Sequence, residues 1–235
     1  MLQTKNRVIM ISGANRGIGF ETAKLLKNKG YLLSLGARNT DKIDMENIEN
    51  KLIKCNWDAK NKLSSKKWVD ETLSAFGKID GLVMNAGVEL GGDLEGDSEE
   101  EFDEMFEVNF KGPLRLVREA LPELKKIDSG RVINVVSLAG KRPRKSKMLG
   151  YSASKFAAMS LTNAIRLAGW DDGVRATSIC PGMVKTRMTE EVIVPEGQFK
   201  MDPEVIAQTI AYALSLPNSA AVAEILVNSR LEDMF

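Results

Sequence analysis

The stretch Val8-Ile9-Met10-Ile11-Ser12-Gly13-Ala14-Asn15-Arg16-Gly17-Ile18-Gly19 decides the reading of this chain. Four consecutive apolar residues, Val8 to Ile11, suit a strand buried on both faces. Three glycines follow within seven residues, spaced G-x-x-x-G-x-G rather than the commoner G-x-G-x-x-G. Glycines here let the chain turn sharply and let its amides approach an anion with no Cβ in the way. The apolar spacing predicts a helix from Gly17 to Lys29, whose N-terminal partial positive charge points at the same place. Glycine clusters are common in plain turns. Between a first strand and a first helix, Gly13, Asn15, Arg16, Gly17, Ile18 and Gly19 read instead as a diphosphate cradle.

The pattern then repeats. Tyr31–Leu35, Lys51–Cys55, Gly81–Asn85, Arg131–Ser137, Val174–Cys180 and Ala223–Asn228 are further expected strands, most of them nearly continuous apolar runs. Helices are expected over Asn61–Phe76, Ser98–Lys126, Tyr151–Gly169 and Pro203–Leu216, the second opening on a capping box, Ser98-x-x-Glu101. Such alternation predicts an α/β fold: one doubly wound parallel sheet of seven strands, of Rossmann type, with helices on both faces. No Pro-, Gly- or Ser-rich linker divides the chain, so residues 1–235 are expected to form one domain.

Composition fits that fold and excludes several chemistries. The 235 residues are 43% hydrophobic and 28% charged, with a formal net charge of +1. Nothing there calls for nucleic acid, a membrane surface or a polyanion. Histidine is absent, which rules out a Ser-His-Asp triad, a Cys-His dyad and any His-containing zinc site, and no metal site is expected. Two cysteines, Cys55 and Cys180, lie far apart, which suits a reducing compartment better than a disulfide framework. The first apolar run is too short for a signal-peptide core or a membrane span, and the expected location is cytoplasmic.

The end of the second strand bears on the cofactor. A carboxylate there would suit the ribose 2′-hydroxyl of NAD, a cation the 2′-phosphate of NADP. The chain reads Leu35-Gly36-Ala37-Arg38-Asn39, so Arg38 stands at that position and Arg16 can close from the other side. NADP(H) is therefore preferred. Asp41, a few residues on, leaves NAD(H) open.

Taken in order, Ser12-Gly13-x-x-x-Gly17-Ile18-Gly19, Asn85-Ala86-Gly87, Asn109, Ser137, Tyr151-x-x-x-Lys155 and Pro181-Gly182-x-x-x-Thr186 make the chain resemble a classical short-chain dehydrogenase/reductase. The motifs span residues 12 to 186. The resemblance implies sheet order 3-2-1-4-5-6-7, with Asn85, Ala86 and Gly87 beside the cofactor and Asp58 on its adenine side. It puts Pro181, Gly182, Val184 and Thr186 at the nicotinamide end. It implies hydride transfer between nicotinamide and a carbonyl or alcohol carbon, with Tyr151 as proton donor. Lys155 lies four residues on, so both share one helix face, and its ammonium can shift a tyrosine pKa that is otherwise near 10. The resemblance also has Tyr151 and Lys155 contact the cofactor, Lys155 through the nicotinamide ribose. Ser137 would orient the substrate oxygen, and Asn109 would hold a water that relays protons to the lysine. Two departures are evident: Ser12 replaces the usual Thr, and the Ser137–Tyr151 interval is about one residue long and unusually basic.

That interval holds Lys141-Arg142-Pro143-Arg144-Lys145-Ser146-Lys147, five basic residues in seven at the expected site mouth. It suits an anionic substrate, a coenzyme A or carrier-protein thioester, a solvated loop or a subunit contact. Glu89 to Glu107 holds ten carboxylates and no base, which reads as a solvated acidic face. By the same resemblance residues 186–202 are the expected substrate lid, with Met188, Val192, Ile193, Val194 and Phe199 as its apolar side. Trp57, Trp68 and Trp170 read as packing residues. Two rivals stay open, a 3-oxoacyl-thioester reductase and a non-catalytic dinucleotide sensor. Partners are expected to be a small-molecule carbonyl or alcohol and, as the resemblance implies, further copies of the chain in a homodimer or homotetramer.

Overall fold

The computed structural model describes residues 1–96, 99–143, 145–197 and 199–231. Seven strands form one sheet: β1 (Val8–Ser12), β2 (Leu32–Ala37), β3 (Leu52–Asn56), β4 (Gly81–Met84), β5 (Arg131–Val135), β6 (Arg175–Pro181) and β7 (Glu224–Val227). Their order is β3-β2-β1-β4-β5-β6-β7, and every neighbouring pair is parallel. The order reverses between β1 and β4, which opens a crevice at their C-terminal ends.

Alternate residues along each strand feed two cores. On one face Ile9, Ile11, Leu33, Leu35 and Ile133 pack on α1 (Gly17–Asn28) and α6 (Pro203–Ser215) through Ala23, Leu26, Ile206 and Ile210. On the other, Met10, Leu82, Met84 and Val132 meet α2 (Ser64–Phe76), α4 (Gly112–Lys125) and α5 (Leu149–Gly169) through Trp68, Leu116, Ala120 and Ile165. This two-sided burial is why the strands read as unbroken apolar runs. No helix among the described residues is long and apolar enough to cross a membrane.

Element positions match the sequence pattern to within one to three residues at most ends. The expected helix over Ser98–Lys126 is corrected. It is interrupted: α3 (Glu99–Phe106) passes into a π-helical turn, Glu107–Lys111, before α4 begins. Ser98, the first residue of the expected capping box, lies outside the described residues.

Arg131 opens β5 yet is only 1% exposed. Its guanidinium donates to the carbonyls of Leu216, Gly130 and Gly173 and to Asn218 Oδ1, at 2.7 to 3.4 Å. It thereby caps the last turn of α6, where unpaired carbonyls gather. All these partners are neutral, so burial, with Arg7 and Arg175 nearby, pushes its pKa down to about 10. Arg131→Ala would strand several buried acceptors. The expected cost is about 3 kcal/mol, read as a fall of roughly 10 °C in Tm.

Candidate active site

The cradle is built by bonds between β1, β2 and β4. Ser12 Oγ accepts from the amides of Asn85 (2.9 Å) and Ala86 (3.1 Å), and Asn85 Nδ2 donates to the Ser12 carbonyl at 3.0 Å. The hydroxyl is what this position uses, and serine supplies it. Gly13 has φ +67°, and a Cβ there would lie 3.0 Å from Asn85 Nδ2 and from Ala86 Cα. Gly19 is tighter: a Cβ would press into the Gly13 carbonyl oxygen and lie 2.5 Å from Asn85 Nδ2. Arg16 stands at the N-cap of α1 with no side-chain cap, leaving the first amides of the helix to an outside acceptor. Asn15 and Ile18 are half-buried in the same loop. Arg38 directly follows β2, its carbonyl held by Asn56 Nδ2 at 2.8 Å, and its side chain is exposed, as is that of Arg16. Asp58 accepts from the Lys60 amide through Oδ1 (3.0 Å).

Beyond β6 the chain folds back over this cradle. The Gly182 amide donates to the Val227 carbonyl at 2.8 Å, and Val184, 4% exposed, bridges to Met201. A Cβ on Gly17 would lie 3.2 Å from Thr186 Cγ2, so Thr186 covers the glycine turn. Arg187 follows it into an open hollow of about 490 Å³ that Lys185, Thr189, Glu190 and Lys200 also line.

Tyr151 and Lys155 lie one turn apart on α5, 6% and 5% exposed. Lys155 Nζ sits 5.7 Å from the centre of the Tyr151 ring and donates to the Val135 carbonyl at 3.3 Å. Burial pushes Lys155 down to about 8, against opposing pulls from Cys180 and Glu89. Burial raises Tyr151 above its ordinary value and Glu89 adds to that, while a hydrogen bond with Ser137 lowers it. Ser137 follows the end of β5 and caps a short 3-10 turn, accepting from the Ala139 amide at 3.1 Å.

Asn109 lies in the π-helical turn, 2% exposed. Its amide grips Val88 on both sides: Oδ1 accepts from the Val88 N–H and Nδ2 donates to the Val88 carbonyl, each at 2.9 Å. Nδ2 also donates to Ser154 Oγ at 3.0 Å. The side chain is thus occupied, and a π turn displaces main-chain carbonyls from the regular ladder. A water held by Asn109 would sit on its main chain.

The basic loop is less open than its sequence suggests. Lys141 pairs with Glu224 of β7 at 2.6 Å, and Arg144 lies outside the described residues. Lys145 borders a hollow of about 320 Å³ with Leu94, Pro143, Ser146 and Leu149. Trp57 and Trp68 pack at 5.7 Å in the core, and Trp170 stacks on Arg175 at 3.8 Å.

A doubly wound sheet, a glycine cradle at its switch point and a buried Tyr-Lys pair beside it define a Rossmann-type dinucleotide protein. The family model for short chain dehydrogenase matches residues 7–196. The chain belongs to the short-chain dehydrogenase family. It is 37% identical over 223 residues to an agropine synthesis reductase of Rhizobium rhizogenes, covering 92% of this chain but about half of that protein's length. It is 34% identical to an uncharacterized oxidoreductase of Staphylococcus aureus strain N315, covering 94% and 96% of the two chains. Among solved structures, an alcohol dehydrogenase from the archaeon Thermococcus sibiricus, complexed with 5-hydroxy-NADP, superimposes with a TM-score of 0.86. The two are 32% identical, over 96% of this chain and 99% of the other.

Proposed function

We propose that the chain is an NADP(H)-dependent oxidoreductase that interconverts a carbonyl and a secondary alcohol. The observation that carries this reading is the buried Tyr151–Lys155 pair, with Ser137 close enough to the tyrosine to pull its pKa down, at the crevice where the cradle opens. The residues present fit a dinucleotide. A Cβ would fill the cradle at Gly13 and Gly19, and the first amides of α1 lack a cap. A bound nicotinamide would supply or accept the hydride. Ser137 and Tyr151 orient the reacting oxygen, Tyr151 gives it a proton in reduction, and Lys155 holds positive charge beneath the phenol. Asn109 fixes the loop after β4 that forms one wall. Phe156 and Leu167 leave apolar surface exposed along α5, which supports self-association through that helix.

The test is oxidation of NADPH and of NADH by the full chain against aldehydes, ketones and 3-oxoacyl thioesters. We expect turnover, with NADPH favoured. Arg38→Asp should narrow that preference about tenfold or more, since a guanidinium–phosphate contact is charge-assisted. Thioesters favoured over simple ketones would point to the acyl-thioester reductase and a role for Lys145. Tight NADPH binding without turnover on any substrate would point to a sensor, and failure to bind either cofactor would defeat the reading.

A further inference from the structure

Lys141, the first base of the loop between Ser137 and Tyr151, stands where the 3-10 turn Leu138–Gly140 ends. That turn carries the Ser137 hydroxyl. Ser137 Oγ accepts from the Ala139 amide at 3.1 Å, the Ser137 carbonyl accepts from the Gly140 amide at 3.0 Å, and the Lys141 amide closes the turn on the Leu138 carbonyl at 2.9 Å. When the turn moves, the hydroxyl moves with it.

The turn is fixed on its inner side. Just before it the Val136 amide donates to the Ile179 carbonyl of β6 at 2.8 Å, and Leu138 packs with Ala158, Met159 and Cys180. A Cβ on Gly140 would lie 2.9 Å from the Lys155 carbonyl oxygen, so the turn rests on α5 at the lysine itself. Downstream the chain runs on to its next short turn, Ser146–Met148. At that exit Lys141 Nζ meets Glu224 Oε2 at 2.6 Å, with the two side chains 27% and 30% exposed. A pair on an outer helix face, such as Lys66–Asp70 at 64% and 57%, is far more open to screening. Glu224 is itself held: it lies opposite Ser178 in the β6–β7 ladder, and the Ser178 amide donates to the Ala223 carbonyl at 2.9 Å. The bonds close a ring, from the end of β5 to β6, from β6 to β7, from Glu224 to Lys141, and from Lys141 through the turn to Ser137.

We propose that the Glu224–Lys141 pair positions Ser137. Glu224, acting through Lys141, sets the turn that aims the serine hydroxyl at the reacting oxygen. This rests on the oxidoreductase reading above, and it assigns the first base of the loop to the turn rather than to a substrate anion. A hydroxyl held off its line weakens an interaction made in the transition state, so the cost falls on kcat and not on KM.

The experiment measures kcat, KM and Tm for carbonyl reduction in the wild type, Glu224→Gln, Lys141→Met and the charge swap that joins Lys141→Glu to Glu224→Lys. Glu224→Gln is also made in a Ser137→Ala background. Amide hydrogen exchange over residues 137–142 is followed in the cofactor-free wild type and Glu224→Gln. We expect each single variant to lower kcat about tenfold with KM changed less than about twofold. The swap should recover kcat to within about threefold of wild type, and without the serine hydroxyl Glu224→Gln should cost less than about twofold. Exchange of the Ala139, Gly140 and Lys141 amides should quicken about tenfold in Glu224→Gln. An equal loss of kcat with and without the serine hydroxyl makes the pair a structural tie alone and overturns the proposal. A loss in Lys141→Met that Glu224→Gln does not share places Lys141 on the substrate and overturns it too. Exchange that Glu224→Gln leaves unchanged overturns it whatever the turnover, and leaves the oxidoreductase reading standing. Absence of wild-type turnover on the whole carbonyl panel overturns both.

Discussion

Replacing Tyr151 by Phe is expected to lower kcat for carbonyl reduction about a thousandfold while the chain still folds and binds NADPH. General acid catalysis by a positioned side chain is worth about 10² to 10⁴, and a thousandfold corresponds to about 4 kcal/mol of barrier. The ring should tolerate the change, because it packs with Met105, Ala139, Val88 and Met148, all apolar contacts that phenylalanine keeps. Only the hydroxyl goes. Burial and Glu89 hold the phenol protonated near neutral pH, which is the form that donates to a carbonyl oxygen. Alcohol oxidation needs the deprotonated form, so it should climb with rising pH more steeply than reduction does. Stopped-flow NADPH consumption and a fluorescence titration of NADPH separate chemistry from binding. A loss of less than tenfold with intact binding would remove Tyr151 from the proton-donor role.

What could be read from the sequence followed from how locally each feature is encoded. A strand buried on both faces leaves an apolar run, and so Val8–Ser12 and Gly81–Met84 were legible to within a residue. A glycine cradle is legible because positive φ and close backbone approach leave few alternatives at Gly13. The π turn at Glu107–Lys111 was not legible, since no proline or internal glycine marks it and it arises where α3 and α5 pack together. Arg131 opened an expected strand, and its role as a buried cap was not legible, because its partner Leu216 lies 85 residues away. The tie from Lys141 to Glu224 spans 83 residues and was hidden for the same reason, so the basic loop looked freer than it is. Glu89 shares its negative charge with nine other acids nearby, and only the fold separates it from them.

Lys155→Met should lower kcat/KM at least a hundredfold and yet make the cofactor-free protein more stable at pH 7. Lys155 is 5% exposed, and burial brings its pKa from 10.5 to about 8. A shift of that size corresponds to about 3 kcal/mol spent on keeping a charge in a dry place. Methionine has nearly the same reach without the charge. It forfeits the 3.3 Å bond to the Val135 carbonyl, which reduces the expected gain to about 2 kcal/mol, or roughly 4 to 8 °C in Tm. The gain has a defined pH window. Below pH 8 the lysine is protonated whether the chain is folded or unfolded, and the whole penalty applies. Between 8 and 10.5 the folded chain releases the proton while the unfolded chain keeps it, so wild-type stability rises with pH and the variant's advantage shrinks. Thermal melts of both proteins at pH 7 and pH 10 read this directly. An advantage equal at both pH values would trace to packing, and a lower Tm at pH 7 would make Lys155 a structural residue. A buried cation that weakens the fold where the protein has to work is kept for what it does at the site, where the Tyr151 ring lies 5.7 Å from its ammonium.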